Sequence, residues 1–122
     1  MNELNKFAQL YAVVWNEADP GLRRSMIAQL WSEDAVHYTE SLEAHGHEAI
    51  ERRVAGAYEK FVEAGGFVFQ ASEQAESHHQ AVRLRWEMVP AEGGKAAAAG
   101  TVFVLLGSDG RIRSDYQFTD NV

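Results

Sequence analysis

Side chains able to do acid–base chemistry fall on the last predicted strand of this sequence. In residues 111–119, Asp115, Gln117 and Thr119 are two positions apart and therefore share one face of the strand. A carboxylate beside an amide can supply an acid or base together with a donor for a carbonyl oxygen. That face is either the polar lining of a pocket or a plain surface in contact with solvent. The bulky side chains of the same strand, Ile112, Tyr116 and Phe118, are expected to share its opposite face.

A histidine on the first predicted strand is the second candidate. In residues 35–39, His37 and Thr39 share one face, opposite Val36 and Tyr38. Imidazole changes charge near neutral pH, so His37 could be a general base or a polar anchor in a pocket. The alternative is a hydrogen-bonded histidine at a strand edge. Asp115 and His37 are therefore the candidate catalytic residues.

Large aromatic side chains could line a pocket next to these polar groups. Tyr11 and Trp15 lie at helical spacing on an apolar face, and Trp86 lies in an alternating strand. Such side chains bind flat apolar ligands and also build ordinary cores. The predicted pocket residues are Tyr11, Trp15, His37, Thr39, Trp86, Asp115 and Gln117.

The residue types give little support for metal or redox chemistry. The chain has no cysteine, which excludes disulfides and thiolate ligands. His45 and His47 could share a metal ion, but catalytic zinc needs three protein ligands and no third is evident nearby. The sequence therefore predicts no metal site and no cofactor.

Charge and length limit the classes of partner. Eighteen Asp and Glu outweigh eleven Lys and Arg, for a net charge of −7. A protein that binds nucleic acid or anionic membrane needs a basic face, so neither partner is expected. No basic leader followed by an apolar segment precedes the first predicted helix, and a cytoplasmic protein is expected. The 122 residues predict one domain, 1–122.

The predicted elements point to an α+β fold. Helices are expected at 2–17, 20–31 and 47–63, and strands at 35–39, 67–76, 79–89, 95–106 and 111–119. Asp19-Pro20 is a helix start, and Asp109-Gly110 is a hairpin turn. The prediction is three helices packed in the concave face of a strongly curved, mixed and mainly antiparallel sheet, an α+β cone.

Four short motifs, in this order and spacing, carry a family resemblance. They are Tyr11…Trp15-Asn16-Glu17…Asp19, Leu30-Trp31-Ser32-Glu33-Asp34-Ala35-Val36, Gly46-His47-Glu48-Ala49-Ile50 and Asp109-Gly110-Arg111-Ile112. Together they resemble the nuclear transport factor 2-like (cystatin-like) superfamily, in particular its polyketide-cyclase-like (SnoaL-like) branch. The resemblance covers nearly the whole chain.

The resemblance implies a pocket between the first helix, the first strand, the third helix and the concave sheet. It implies a small apolar ligand, a homodimer and, if the protein is an enzyme, cofactor-free acid–base chemistry of isomerase, cyclase, dehydratase or epoxide hydrolase type. Alignment on Asp115-Tyr116 puts Asp115 in the deep position, whereas alignment on Gly110-Arg111-Ile112 puts Gln117 there. The alternative function is a non-catalytic ligand-binding or dimerisation module, because this fold carries many functions.

Overall fold

The computed structural model describes residues 3–72 and 74–120. In that range the helices are α1 (Glu3–Val14), α2 (Pro20–Leu30) and α3 (Gly46–Ala57), and a π-helical turn (Tyr58–Glu63) continues α3. The strands are β1 (Trp31–Tyr38), β2 (Glu43–His45), β3 (Phe67–Ala71), β4 (Glu76–His78), β5 (Ala81–Pro90), β6 (Ala98–Leu106) and β7 (Ile112–Thr119). The predicted order of helices and long strands is confirmed, and the structure adds the short strands β2 and β4.

The strands form one mixed sheet with the order β2-β1-β7-β6-β5-β3, and β4 also pairs with β5. Among these strand pairs, β1 and β7 run parallel and the others antiparallel. Helix α1 packs on β3 and helix α3 packs on β1 and β2. The chain is an α+β cone, as predicted, and the sheet is not closed into a barrel.

Helix α1 is held to the sheet at its carboxyl end. The predicted helix extended to residue 17, but α1 ends at Val14. Asn16 then exchanges two hydrogen bonds with the backbone of Phe69, donating to its carbonyl at 2.7 Å and accepting from its amide at 2.8 Å. These bonds require the chain to leave the helix, and they fix Trp15 against β3. The predicted start at residue 2 lies outside the described residues.

Helix α2 begins as predicted. Asp19 accepts a hydrogen bond from the backbone amide of Leu22 at 2.8 Å, and Pro20 occupies the first turn. The buried side of α2 is not simply apolar, because Leu22 is exposed and Arg23 is buried. Arg23 donates two hydrogen bonds to the Glu17 carbonyl, at 2.6 and 3.2 Å. Arg23 is therefore held inside the fold by a backbone carbonyl and does not face water.

Strand β1 starts earlier than predicted. Residues 32–34 were expected to separate α2 from a strand at 35–39, but Trp31 already has extended dihedral angles and pairs with Ile112 of β7. The side chains of Glu33 and Asp34 are exposed, so extending the strand through them buries no charged group. Pairing with a strand about 80 residues away outweighs the local turn signal, which a sequence pattern cannot anticipate.

A bulge in β7 changes which of its side chains face inward. Leu105 of β6 pairs with Ser114 and Leu106 pairs with Ile112, which leaves Arg113 as an extra residue. Ile112 and Asp115 are both buried as a result. The prediction that Ile112 shares a face with Tyr116 and Phe118 is wrong, since those two aromatic rings lie on the exposed outer face.

The predicted strand over 67–76 ends early, as β3 at Ala71, and the short strand β4 begins only at Glu76. The return into β5 occurs at His79 and Gln80. Both residues have positive φ, 50° and 68°, and so form the turn rather than the start of the next strand. No helix within the described ranges is both long and apolar enough to cross a lipid bilayer.

Candidate functional site

Asp115 is the centre of a buried hydrogen-bond network. It lies on β7 and has no exposed surface. Its Oδ2 accepts hydrogen bonds from the Tyr11 hydroxyl at 2.7 Å and from His37 Nδ1 at 2.8 Å. Its Oδ1 accepts one from the Trp31 indole at 2.9 Å. A buried carboxylate is tolerated only with this degree of pairing, so the network defines how helix α1, strand β1 and strand β7 meet.

The same network assigns the tautomer of His37. Arg53 Nε donates to His37 Nε2 at 3.4 Å, and a guanidinium can only donate. Nε2 therefore accepts with its lone pair, and the imidazole proton lies on Nδ1 and is donated to Asp115. The arrangement is a carboxylate that orients a neutral imidazole, with the basic nitrogen directed toward Arg53.

The Tyr11 hydroxyl adds a pH dependence to the network. Burial and the Asp115 carboxylate both raise the pKa of Tyr11 well above the ordinary value of 10.0. Above about pH 10 the unfolded chain loses this proton while the folded chain keeps it, so the free energy of unfolding falls as pH rises.

We expect Tyr11→Phe to lower the free energy of unfolding by about 1–2 kcal/mol near neutral pH, because Asp115 loses one of its donors. The difference in free energy of unfolding between wild type and variant should narrow at about pH 11. At that pH the wild type loses stability because its unfolded chain gives up the Tyr11 proton, and the variant has no such proton to lose. Urea unfolding of both proteins at about pH 8 and about pH 11 measures this. A gap that stays constant or widens would contradict the assignment.

Arg53 connects this network to a cavity. It lies on α3, is half-buried, and donates from Nη2 to Gln117 Oε1 at 2.7 Å. Its guanidinium lies 5.2 Å from the centre of the Trp15 ring. Burial lowers the pKa of Arg53, and Tyr11 and Asp115 act in the opposite direction. No carboxylate within residues 3–72 and 74–120 forms an ion pair with it.

The cavity lies between α3 with its π-helical turn and the inner face of the sheet, and its volume is about 700 Å³. A second space of about 660 Å³ adjoins it, sharing Arg53, Gln117 and Thr119. The larger cavity is lined by Trp15, Leu42, Ala49, Arg52, Arg53, Gly56, Ala57, Lys60, Phe61, Phe69, Trp86, Met88, Ala98, Gln117 and Thr119.

The predicted pocket residues divide into two layers. Trp15, Trp86 and Gln117 line the larger cavity, and Thr39 lines the adjoining one. The other three, Tyr11, His37 and Asp115, lie beneath the cavity wall and are at most 1% exposed. Of the two alternatives for the deep position, Asp115 is the buried one, and Gln117 is partly exposed at the wall.

Arg53 is the residue that sequence reasoning missed. It lies four residues after Ala49 and four before Ala57, and both alanines also line the cavity. This spacing puts a long cation between small residues on one side of the helix. The signal was present in the sequence, but arginine at the edge of an apolar face is common on solvated helices.

The two histidines considered as metal ligands, His45 and His47, contact different groups. His45 bonds to Glu43 at 3.1 Å, and His47 Nε2 bonds to the Trp31 carbonyl at 2.7 Å. Within the described part of the chain, no cluster of three or more His, Asp or Glu side chains is arranged to hold a metal ion.

The sequence profile of the SnoaL-like domain matches residues 7–114. No curated protein sequence matches the chain. A solved structure from Agrobacterium tumefaciens, described as that of a SnoaL-like family protein with a proposed isomerase activity, is 28% identical. It superposes with a TM-score of 0.87, covering 99% of this chain and 100% of that one.

Two more distant structures share the fold. A protein from Sinorhizobium meliloti, described as a proposed polyketide cyclase, is 19% identical with a TM-score of 0.69, covering 95% of this chain and 96% of that one. An NTF2-like protein of unknown function from Exiguobacterium is 18% identical with a TM-score of 0.69, covering 99% and 100%. At this identity the likeness extends to the α+β cone alone.

Proposed function

Because the chain belongs to the family of SnoaL-like domains, we propose that it is a small-molecule enzyme of isomerase or cyclase type that uses acid–base chemistry without a cofactor. The observation that carries this proposal is the series Asp115–His37–Arg53, which runs from the buried network to the cavity wall. A proton acceptor and a cationic donor side by side are what enolisation of a carbonyl compound requires.

His37 is the proposed base in this mechanism. Both oxygens of Asp115 are occupied by its three donors, so the carboxylate orients His37 and does not contact substrate. The sequence made Asp115 a candidate acid or base. In the mechanism proposed here, the reacting group is instead His37 Nε2. This nitrogen would take a proton from the carbon next to a carbonyl and return it at another carbon.

Arg53 would stabilise the enolate. In the free protein its Nε lies 3.4 Å from His37 Nε2, at the long end of a hydrogen bond. A substrate carbonyl oxygen that accepts from Arg53 would withdraw this donor from His37 and free the Nε2 lone pair. Gln117 holds the other end of the guanidinium at 2.7 Å, which limits how far it moves.

A generic assay for this chemistry is deuterium exchange at the α-carbon of a panel of cyclic and aryl ketones in D₂O, followed by NMR. We expect exchange with the wild type, and a rate about a hundredfold or more lower in His37→Ala. The matched control is His45→Ala, which removes an exposed imidazole and should keep the wild-type rate. Equal rates for wild type and His37→Ala would sink the proposal.

A non-catalytic ligand carrier is the second candidate, and the observation that favours it is burial. Neither His37 nor Asp115 has exposed surface in the free protein, as expected of groups that only hold the fold together. A carrier would bind ketones in the cavity and exchange none of their protons, so the same assay separates the two functions.

The homodimer and the cytoplasmic location stay predictions. Tyr38, Phe103, Tyr116 and Phe118 cluster on the outer face of the sheet, where Tyr38 and Tyr116 stack with ring centres 4.8 Å apart. Phe118 is 54% exposed, an unusual fraction for a large aromatic side chain. The sedimentation coefficient of the protein tests self-association.

A further inference from the structure

The charge of the cavity wall is opposite to that of the whole protein. The chain carries a net charge of −7, but three cations and no carboxylate line the larger cavity. These cations are Arg52, Arg53 and Lys60. In the adjoining space, Glu40 is the carboxylate among the lining residues. Cations concentrated in a concave site of an acidic protein attract anions to that site.

Two of these cations form no direct ion pair with a carboxylate of the described residues. Arg52 pairs with Glu48 at 2.9 Å, in an exposed pair of little strength. Within the described ranges, neither Arg53 nor Lys60 has an ion-pair partner. Arg53 is also half-buried, and the Asp115 carboxylate acts on it only from behind His37. A partly desolvated cation with no direct ion pair favours an anionic ligand beside it.

An unpartnered donor lies next to Arg53. Trp15 Nε1 is buried and has no hydrogen-bond acceptor among the described residues. The Trp15 ring lines the cavity and lies under the Arg53 guanidinium. Buried donors are normally paired, so a ligand oxygen at this point would satisfy an N–H that the protein itself leaves free.

The rest of the wall is apolar. Phe61, Phe69, Trp86 and Met88 also line the cavity, and Phe69 meets both Phe61 and Trp86 edge-on, with ring centres 6.2 Å apart. Such a wall suits a ring system or a short hydrocarbon.

We infer that the cavity takes an anionic amphipathic ligand, with a carboxylate-class group beside Arg53 and Lys60 and an apolar ring system against Phe69 and Trp86. The inference rests on the proposed function for the choice of cavity, and it concerns binding, not turnover. It changes the expected ligand from a plain apolar molecule to an organic acid.

The test compares 2-naphthylacetate with 2-naphthylacetamide, which have the same shape and differ in charge. Isothermal titration of the wild-type protein at about pH 7 should show the acid binding about tenfold or more tightly than the amide. Arg53→Gln should remove most of this preference, because it weakens binding of the charged acid much more than binding of the neutral amide. The matched control Arg83→Gln, on the outer face of the sheet, should keep the preference.

Lys60→Gln keeps the inference testable if Arg53→Gln does not fold. Lys60 is exposed on the π-helical turn, and its loss should reduce the acid preference about two- to fivefold. Equal wild-type affinity for acid and amide, binding of neither, or an unchanged preference in the foldable variants would overturn the inference. An intact preference with no ketone exchange would overturn the proposed enzyme and leave the anionic site standing.

Discussion

Replacing Gly100 with alanine is expected to destabilise the fold by about 3 kcal/mol or more. Gly100 is buried in β6, and an added Cβ would overlap the backbone carbonyl oxygen of Phe118 on the neighbouring strand. It would also lie 2.7 Å from the Trp86 indole nitrogen. The backbone oxygen cannot move without breaking the pairing of β6 with β7. The steric overlap can therefore be relieved only by losing hydrogen bonds between these strands.

Because Gly100 has no side chain, the Trp86 ring can pack over it and form part of the cavity wall. Trp86 on β5 lies across β6 at this point and donates its indole N–H to the Phe118 carbonyl at 3.2 Å. A methyl group at residue 100 would displace this indole, which lines the cavity. We therefore expect Gly100→Ala to weaken ligand binding as well as the fold.

The matched control is Gly56→Ala. Gly56 lies within α3, where nothing is within 4 Å of an added Cβ. Alanine is the better helix former, and this variant should be more stable by about 0.5–1 kcal/mol. Urea unfolding followed by tryptophan fluorescence measures both variants. If Gly100→Ala unfolds at the wild-type urea concentration, the close approach of Trp86 over β6 is incorrect.

Asp115→Asn is expected to lower the free energy of unfolding by about 2–4 kcal/mol, although the side chain keeps its shape. Three donors converge on the carboxylate, from Tyr11, Trp31 and His37. An amide offers one acceptor oxygen and brings a donor group of its own. At least one N–H or O–H must then stay unpaired in a site that has no solvent-exposed surface, or turn away from it.

The same variant should lose the orientation of His37. An amide NH₂ facing His37 Nδ1 favours the tautomer with its proton on Nε2, which removes the basic lone pair from the cavity side. We expect ketone exchange to fall about a hundredfold or more in the folded fraction. The nitrogen chemical shifts of the imidazole report the tautomer directly.

Asp34→Asn is the control for this change. Asp34 is exposed on β1, and its carboxylate accepts from Ser32 Oγ at 3.2 Å. An exposed acid-to-amide change should alter the free energy of unfolding by no more than about 0.5 kcal/mol. A comparable loss of stability at both positions would point to net charge, and not to the buried network, as the cause.

Local chemistry determined the parts of the fold that short segments decide by themselves. Asp19-Pro20 begins α2 because a side-chain oxygen and a ring without an N–H suit a helix start in any context. The hairpin turn at Asp109-Gly110 and the alternation of β5 follow for the same reason. The α+β order and the resemblance to the SnoaL-like branch were therefore within reach of the sequence.

Long-range pairing decided the parts that were missed. The early start of β1 at Trp31 depends on Ile112, and the inward turn of Ile112 depends on the extra residue Arg113. A bulge shifts the alternation of a strand by one residue, and nothing in residues 111–119 alone marks where that happens.

The candidate site divides in the same way. The residue types of His37 and Asp115, and their inward faces, could be inferred from alternation along two strands. That their side chains meet at 2.8 Å depends on the parallel pairing of β1 with β7, in which His37 lies opposite Asp115. The sequence alone contains no sign of this register.

By itself, the sequence determined the family, the fold and which strand faces carry polar groups, because these depend on periodicity and local motifs. The tertiary structure decided that Asp115 is enclosed behind His37, that Arg53 reaches the cavity, and that the cavity wall is cationic in an acidic protein. Each of these depends on the distance between side chains from separate elements, and only packing sets such distances.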